Sequence, residues 1–269
     1  MSLTYNYHTI DETTYAYTDN GSGTVLVLLH GFTSSSETWR HFIENWQTNY
    51  RVITVDLPGH GRTIGKSTLS MEEVCRHLQI LFDLLVIEKC HLLGYSMGGR
   101  TALSFAMWYP RYIETLILES ASPGLETEKE REARSLHDQQ LASRIVNEGI
   151  ETFVEFWTNI PLFATQKKLP NEVQARIRQE RLQQSTEGLA NSLRYLGTGK
   201  QPSWWQTLEK WNRPVCLIVG ELDEKFVHIN ELMQKKLPQA SFHLVKNAGH
   251  TIHVEQPKAF MQIVEQHVL

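Results

Sequence analysis

The chain has 269 residues, of which 41% are hydrophobic, and its formal net charge is −4 at neutral pH. This size and apolar content suit one domain with an elaborated insertion. The acidic balance argues against a nucleic-acid-binding surface, and no apolar run is long enough to span a membrane. The first residues have neither the basic nor the apolar region of a secretory signal, so we expect a cytoplasmic protein.

The order of predicted elements indicates an α/β fold. Helical periodicity is clear over 70–86 and 98–108, between short apolar runs that are typical of buried strands. Continuous apolar strands separated by helices predict a mostly parallel sheet covered by helices on both faces. The predicted strands are 13–18, 25–30, 50–56, 89–95, 113–119, 215–220 and 241–246.

The alternation of strands and helices stops between the predicted strands 113–119 and 215–220. Residues 122–205 contain no convincing strand, and their polar, helical sequence is interrupted at Pro161, Pro170 and Pro202. The simplest interpretation is a helical lid inserted over the carboxyl edge of the sheet. The predicted organisation is therefore a core of residues 1–121 and 206–269 with a lid of residues 122–205.

A glycine-flanked serine lies between a predicted strand and a predicted helix. The sequence Gly94-Tyr95-Ser96-Met97-Gly98 is a G-x-S-x-G motif, which is similar to the nucleophile turn of α/β-hydrolases. Glycines two residues on either side leave room in such a sharp turn. We therefore predict that Ser96 is a catalytic residue.

A reactive serine needs a base and an acid, which follow it along the chain in α/β-hydrolases. Asp223 and Glu221 both come directly after the predicted strand 215–220, and we favour Asp223. His250 lies on a loop after the next strand and is the preferred base, with His253 as its competitor. Glu221 and His253 can also be interpreted as supporting or surface residues without a catalytic role.

An oxyanion site is expected from two backbone N–H groups. In α/β-hydrolases one comes from the loop after an early strand and the other from the residue after the nucleophile. Here these are Phe32 and Met97. Gly31 is expected to let the backbone approach a bound oxygen, or else to be an ordinary turn glycine.

Neither a metal nor another cofactor is expected. Two histidines three residues apart on a loop, His250 and His253, seldom form a metal site, even with Glu255 nearby. The odd number of cysteines argues against a disulfide framework. Each lies in an apolar segment, so we interpret Cys75, Cys90 and Cys216 as small core residues in a reducing compartment.

Arginines point to an anionic substrate. Arg100 lies one helical turn after Ser96, so its side chain can lean back towards the nucleophile. Guanidinium groups bind carboxylates in a bidentate manner, which favours a carboxylate-bearing substrate over a neutral lipid ester. Most arginines in 122–205 fit a solvated face with i,i+4 ion pairs such as Glu130–Arg134.

Several pieces of the chain together resemble one family of this superfamily, the 2-succinyl-6-hydroxy-2,4-cyclohexadiene-1-carboxylate (SHCHC) synthases of menaquinone (vitamin K2) biosynthesis. The similarity covers most of the chain, and the pieces in the predicted lid are more specific than the serine motif. They are Gly94–Arg100, Glu119–Leu125, Glu130-Arg131, Arg134, Asp138, Leu141-Ala142, Phe156-Trp157, Pro161–Phe163, Gly188–Ala190 and Gly197–Pro202.

The resemblance implies a lyase that releases pyruvate from an enolpyruvyl ether carrying three carboxylates. Proton removal next to a ketone needs a base, either Ser96 itself or an activated water, and a site for the developing enolate oxygen. The family's substrate-binding positions correspond here to Tyr95, Arg100, Arg134, Trp157 and Arg181, although Arg178 remains an alternative to Arg181.

Two other functions stay open at the level of the sequence. One is a serine hydrolase acting on a carboxylate-bearing ester or C–C bond. The other is a ligand receptor that keeps the fold and turns over slowly, since a fold alone does not fix function. The sequence does not indicate an oligomeric state.

Overall fold

The computed structural model describes residues 3–268, which build a sheet in the order β1-β2-β4-β3-β6-β7-β8-β9, with β5 paired to β2. The pairs that contain β3, β6, β7, β8 or β9 are parallel, and the pairs that contain β2 are antiparallel. The prediction of an α/β fold with a mostly parallel sheet is therefore confirmed. The strands are β1 (Asn6–Ile10), β2 (Thr13–Asn20), β3 (Thr24–Leu29), β4 (Tyr50–Val55), β5 (Ile64–Gly65), β6 (Cys90–Tyr95), β7 (Ile113–Glu119), β8 (Val215–Gly220) and β9 (Ala240–Val245).

Two strands were not predicted from the sequence. β1 has mostly exposed or half-buried side chains, and it is held by its antiparallel pairing with β2. β5 has two exposed residues that also pair with β2. Neither strand buries an apolar run, so the hydrophobic pattern that identified the other strands is missing there.

Helices cover both faces of the sheet. Along β3, Val27 and Leu29 belong to a core shared with α2 and α3, whereas Leu26 and Leu28 belong to a core shared with α1 and α9. Successive side chains of a strand point to opposite faces, so the strand is buried from both sides. The helices outside residues 122–205 are α1 (Arg40–Trp46), α2 (Met71–Leu84), α3 (Met97–Trp108), α7 (Glu224–Lys236), α8 (Ile252–Glu255) and α9 (Pro257–Val268).

The helical segment, residues 122–205, connects β7 to β8 and contains α4 (Glu128–Thr158), α5 (Asn171–Leu182) and α6 (Thr186–Leu196), with a 3₁₀ helix over Pro161–Lys168. All of its residues are described, and none lies in a strand. It has an apolar core of its own, in which Phe153 and Leu189 are fully buried. Gly149 interrupts α4 with φ 79° and ψ 170°.

The carboxyl ends of the parallel strands meet at one edge of the sheet. β6 ends at Tyr95, β8 ends at Gly220 and β9 ends at Val245. The loops that carry Ser96, Asp223 and His250 therefore leave the sheet side by side. Among residues 3–268, no helix is both long and apolar enough to cross a membrane.

Candidate active site

Ser96 occupies a strained turn between β6 and α3. Its φ is 51° and its ψ is −105°, a conformation that L-residues seldom adopt and that costs about 1–3 kcal/mol. The flanking glycines are required by close backbone contacts. A Cβ on Gly94 would lie 2.3 Å from the carbonyl oxygen of Gly98, and a Cβ on Gly98 would lie 2.3 Å from that of Leu29.

A chain of two short hydrogen bonds joins Ser96, His250 and Asp223. The Nδ1 atom of His250 is 2.6 Å from Oδ2 of Asp223, and its Nε2 atom is 2.9 Å from Oγ of Ser96. A buried carboxylate accepts a proton donor, so Nδ1 carries the hydrogen and Nε2 accepts from the serine hydroxyl. This tautomer is the one that a general base requires.

Glu221 and His253, the alternatives considered for the acid and the base, do not take part in this chain of hydrogen bonds. The exposed Glu221 accepts the backbone N–H of Asn247 at 3.1 Å. His253 is 2% exposed, and its Nδ1 atom is 2.9 Å from both carboxylate oxygens of Glu119. Its Nε2 atom lies 2.8 Å from the hydroxyl of Thr38. His253 therefore supports the loop of His250 from behind, and Glu119 is a partner that the sequence analysis missed.

The predicted oxyanion donors line the same cavity as Ser96. In the part of the chain that the structure describes, the N–H groups of Phe32 and Met97 have no acceptor in the protein. A Cβ on Gly31 would lie 2.5 Å from the ring of Tyr95. Gly31 therefore makes room for this tyrosine.

Ser96 faces a cavity of about 320 Å³ beneath the helical segment. Among the described residues that line it, three carry cations, Arg100, Arg134 and Lys225, and none carries a carboxylate. A larger groove of about 880 Å³ on the far side of α5 contains none of the predicted site residues. The charge of the cavity lining favours an anionic ligand next to Ser96.

Arg100 is a cation without a carboxylate partner. Its Nη1 atom donates to the carbonyl of Leu196 at 2.9 Å, and it forms no ion pair among the described residues. Burial, followed by the nearby charge of Arg134, lowers the pKa of Arg100 to about 10, and the carboxylate of Asp138 acts in the opposite direction. An anion in the cavity would relieve this unfavourable environment.

Arg134 is partly held by a neighbour on its own helix. Its Nε atom donates to Oδ1 of Asp138 at 2.7 Å, and this carboxylate is buried. The expected ion pair with Glu130 is wrong, because Glu130 accepts the N–H and hydroxyl of Thr127 in the capping box that begins α4. Arg134 also lines the cavity.

Trp157 provides an apolar wall opposite these charges. Its ring centroid lies 5.4 Å from that of Phe32, edge to face, and 5.5 Å from that of Phe153 in a stacked arrangement. Its buried Nε1 atom has no acceptor among the described residues. Trp157 therefore offers a ligand an aromatic surface.

The structure separates the two candidates for a third arginine. Arg181 is 4% exposed, and its guanidinium lies 4.6 Å from the ring of Phe163, which lines the cavity. Arg178 is exposed and lines a different groove together with Arg144. Arg181 is therefore the better candidate, although it does not line the cavity wall itself.

A buried chain of hydrogen bonds connects Arg181 to the serine turn. Nη2 of Arg181 donates to Oε1 of Gln166 at 3.2 Å, and Nε2 of Gln166 donates to the hydroxyl of Thr251 at 2.9 Å. Thr251 and the hydroxyl of Tyr95 lie 2.9 Å apart. Gln166 and Thr251 were missed by the sequence analysis, because no motif distinguishes them from other polar residues.

Lys225 and Phe226 lie next to His250. Lys225 lines the cavity, and its Nζ atom lies 5.7 Å from the ring of Phe226. The Phe226 ring centroid is 4.7 Å from that of His250. Phe226 thus packs against the imidazole, while Lys225 adds positive charge near it.

Comparison with known proteins agrees with this architecture. Residues 24–257 match the family model described as the alpha/beta hydrolase fold, the class that the sheet and the serine turn define. A Bacillus subtilis (strain 168) protein provisionally named SHCHC synthase is 44% identical over 268 residues, which cover 98% of this chain and 97% of that protein. The SHCHC synthase of Enterobacter sp. (strain 638) is 33% identical, with 90% of each chain covered.

Solved structures lead to the same family. MenH from S. aureus superposes with a TM-score of 0.89 at 39% identity, covering 96% of this chain and 97% of that one. A thermophilic esterase from Thermogutta terrifontis, solved with malate bound, superposes with a TM-score of 0.85 at 28% identity over 98% of each chain. The chain belongs to the SHCHC synthase family of the α/β hydrolases.

Proposed function

We propose that this protein eliminates pyruvate from 2-succinyl-5-enolpyruvyl-6-hydroxy-3-cyclohexene-1-carboxylate and so produces SHCHC for menaquinone biosynthesis. The names of its relatives support this reaction. The observation that carries the proposal is the cavity lining around Ser96, with three cations and no carboxylate among the described residues. A substrate with three carboxylates complements that charge, whereas a neutral ester does not.

In the proposed mechanism, Ser96 removes the proton from the ring carbon that bears the succinyl group, while His250 accepts the serine proton. The substrate and product names imply that the ring double bond shifts and that the C–O bond to the enolpyruvyl group breaks. The released enolate of pyruvate takes up a proton. Asp223 holds His250 in its base form through the 2.6 Å contact and stabilises the imidazolium.

The enolate oxygen that forms during proton removal needs donors that are already in position. We assign this role to the N–H groups of Phe32 and Met97, which line the cavity and have no acceptor in the described protein. Preorganised donors stabilise the charge as it develops, and loss of one such donor in other enzymes costs about 3–4 kcal/mol.

The helical segment is assigned the role of a lid, which would exclude water from the enolate that forms during proton removal. Arg100, Arg134, Tyr95 and Trp157 are proposed to bind substrate, since all four line the cavity. Arg181 is proposed to act from the edge of the lid.

Arg181→Ala should therefore raise KM at least several-fold, whereas Arg178→Ala on the exposed face of the same helix should leave it unchanged.

The direct test is pyruvate release from the purified intermediate. The rate is compared with and without protein and with the Ser96→Ala variant, so that any spontaneous loss of pyruvate is subtracted. We expect turnover that depends on Ser96. If the protein does not exceed the spontaneous rate, the proposed lyase function is wrong, and the slow-turnover receptor becomes the better interpretation.

A serine hydrolase of carboxylate-bearing esters is the second candidate. The 2.9 Å contact from His250 to Ser96 also suits nucleophilic attack, and the similar Thermogutta esterase was solved with the dicarboxylate malate. The two functions differ in their intermediates. If the reaction is an elimination, deuterium on the ring carbon that loses its proton should slow turnover. Rapid quenching of the reaction should then yield no covalent adduct on Ser96. A Ser96 ester carrying part of the substrate would instead establish the hydrolase.

A further inference from the structure

A second cluster of reactive side chains lies at the edge of the sheet, away from the cavity. The Sγ atom of Cys216 and the ring nitrogens of His243 and His267 all lie within 4.8 Å of one another. The two Nε2 atoms are 2.9 Å apart, and the hydroxyl of Ser241 is 3.2 Å from Nε2 of His267. Cys216 is the second residue of β8, whereas Asp223 follows the last, so the cluster lies towards the opposite end of this strand from Asp223.

We propose that Cys216, His243 and His267 form a binding site for a zinc ion, with the Ser241 hydroxyl or a water molecule in the fourth position. Thiolate and imidazole are the ligands that zinc prefers in proteins, and three protein ligands plus one oxygen is an established arrangement. This assignment departs from the expectation that Cys216 is only a core residue.

The spacing of the donor atoms suits a tetrahedral ion. Zn–N bonds of about 2.0–2.1 Å and a Zn–S bond of about 2.3 Å place two nitrogens about 3.3 Å apart and a nitrogen about 3.6 Å from the sulfur. The observed Nε2–Nε2 distance of 2.9 Å needs to increase by only a few tenths of an ångström. The sulfur lies within 4.8 Å of both nitrogens and has to approach them to bind the same ion.

The protonation states and the access route also suit a metal. Burial lowers the pKa of both His243 and His267. Neutral imidazole is the form that binds metals. Both side chains are half-buried and reachable from solvent, while Cys216 lies behind them, fully buried. Burial raises the pKa of Cys216 to about 12, so metal binding must displace its proton.

A hydrogen bond between the two histidines explains only part of the cluster. It accounts for the short Nε2–Nε2 contact, and the Cys216 thiol has a hydrogen bond with the side chain of Ser241. Neither contact requires the thiol to lie within 4.8 Å of both imidazoles, as it does. An ion there would join β8, the edge strand β9 and helix α9, three separate elements. It would therefore fasten α9 to the sheet.

The first experiment measures zinc binding to the full-length protein after treatment with a chelator. Zinc is titrated in competition with a chromophoric chelator, and we expect one ion per chain. Cys216→Ala and His267→Gln should each weaken binding at least tenfold. The matched controls are Cys90→Ala, another buried cysteine, and His228→Gln, an exposed histidine on α7; both should bind zinc as the wild type does.

The second experiment requires no substitution, so a variant that fails to fold does not obscure the answer. Cobalt(II) added to the wild-type protein should give the intense charge-transfer absorption of a thiolate ligand, together with the visible bands of tetrahedral cobalt. Added zinc should displace these bands. Absence of the thiolate absorption, or zinc binding that survives both Cys216→Ala and His267→Gln, would overturn the proposal. Neither readout depends on catalytic activity.

Discussion

Arg100 places a guanidinium beside the proposed nucleophile with only the carbonyl of Leu196 as an acceptor. Such a charge makes the protein without ligand less stable, because a half-buried cation gains little from a single neutral partner. The same charge strengthens the binding of an anion, since the cation has already lost part of its contact with solvent. Arg100 is therefore expected to lower stability and to raise activity.

Replacing Arg100 separates these two effects. In Arg100→Met, the loss of a charge-assisted contact to substrate should cost about 1.5–3 kcal/mol, or roughly 10–150-fold in kcat/KM. The thermal midpoint without ligand should be equal to or higher than that of the wild type. Arg144→Ala, which removes an exposed i,i+4 partner of Glu148, serves as the control and should change neither quantity. Unchanged kinetics in Arg100→Met would rule out an anion site at this residue.

The residues of the proposed triad should behave as one unit. Ser96→Ala, Asp223→Asn and His250→Ala are each expected to lower kcat by roughly 10³-fold or more without unfolding the protein. Because each change disables the same step, the triple variant should be little worse than the worst single variant. Steady-state kinetics with circular dichroism on each variant checks this. Losses that multiply would mean that the three residues act in separate steps.

At the scale of elements, polar contacts attach the helical segment to both sides of the active site. The carboxylate of Glu180 on α5 accepts the hydroxyl of Ser34 and the N–H of Ser35, each at 2.8 Å, next to the loop of Phe32. Gln166 reaches Thr251, the residue after His250. These contacts therefore connect α5 to the loop next to Phe32 and the 3₁₀ helix to the residue after His250.

The contact between Gln166 and Thr251 can be tested with a matched pair of variants. Thr251→Val removes the hydroxyl that lies between Gln166 and Tyr95, so we expect kcat/KM to fall about tenfold, or ~1.4 kcal/mol. Thr251→Ser keeps the hydroxyl and should retain most of the activity. Gln166→Leu should resemble Thr251→Val, and the two changes combined should lose less than the product of their effects. Equal activity in the valine and serine variants would exclude this role.

For the whole molecule, buried histidines predict sensitivity to acid. Burial, followed by the nearby His30, lowers the pKa of His60 to about 3. In the unfolded chain this pKa is about 6.5, so between these values the unfolded state binds the extra proton. The free energy of unfolding therefore falls as the pH decreases below about 6.5, by about 2 kcal/mol at pH 5 from this one residue.

Urea unfolding at pH 7 and pH 5 measures this effect. His60→Phe should show a smaller loss of stability between the two pH values, because the titrating group is gone while a ring still packs against His30 and Phe32. His228→Gln, which changes an exposed histidine, should keep the full dependence of the wild type. If His60→Phe has the same dependence as the wild type, His60 is not a source of the acid sensitivity.

Sequence patterns were sufficient to predict those features of the fold and of the site that depend on a short stretch of the chain. Apolar runs located the parallel strands, and the positions directly after β8 and β9 brought Asp223 and His250 to the edge that carries Ser96. The sequence could not choose between Arg178 and Arg181, because that choice depends on which face of α5 turns inward. It also missed Gln166, whose two partners come from distant parts of the chain.

The backbone of Ser96 has a consequence for protein engineering. Its φ of 51° suits glycine better than serine, so Ser96→Gly should relieve strain while it removes the proposed nucleophile. A library screened only for heat resistance would therefore enrich inactive proteins at this position. Selection for a more durable enzyme from this chain must score turnover in every round, because at this turn a more stable backbone and a working catalyst are alternatives.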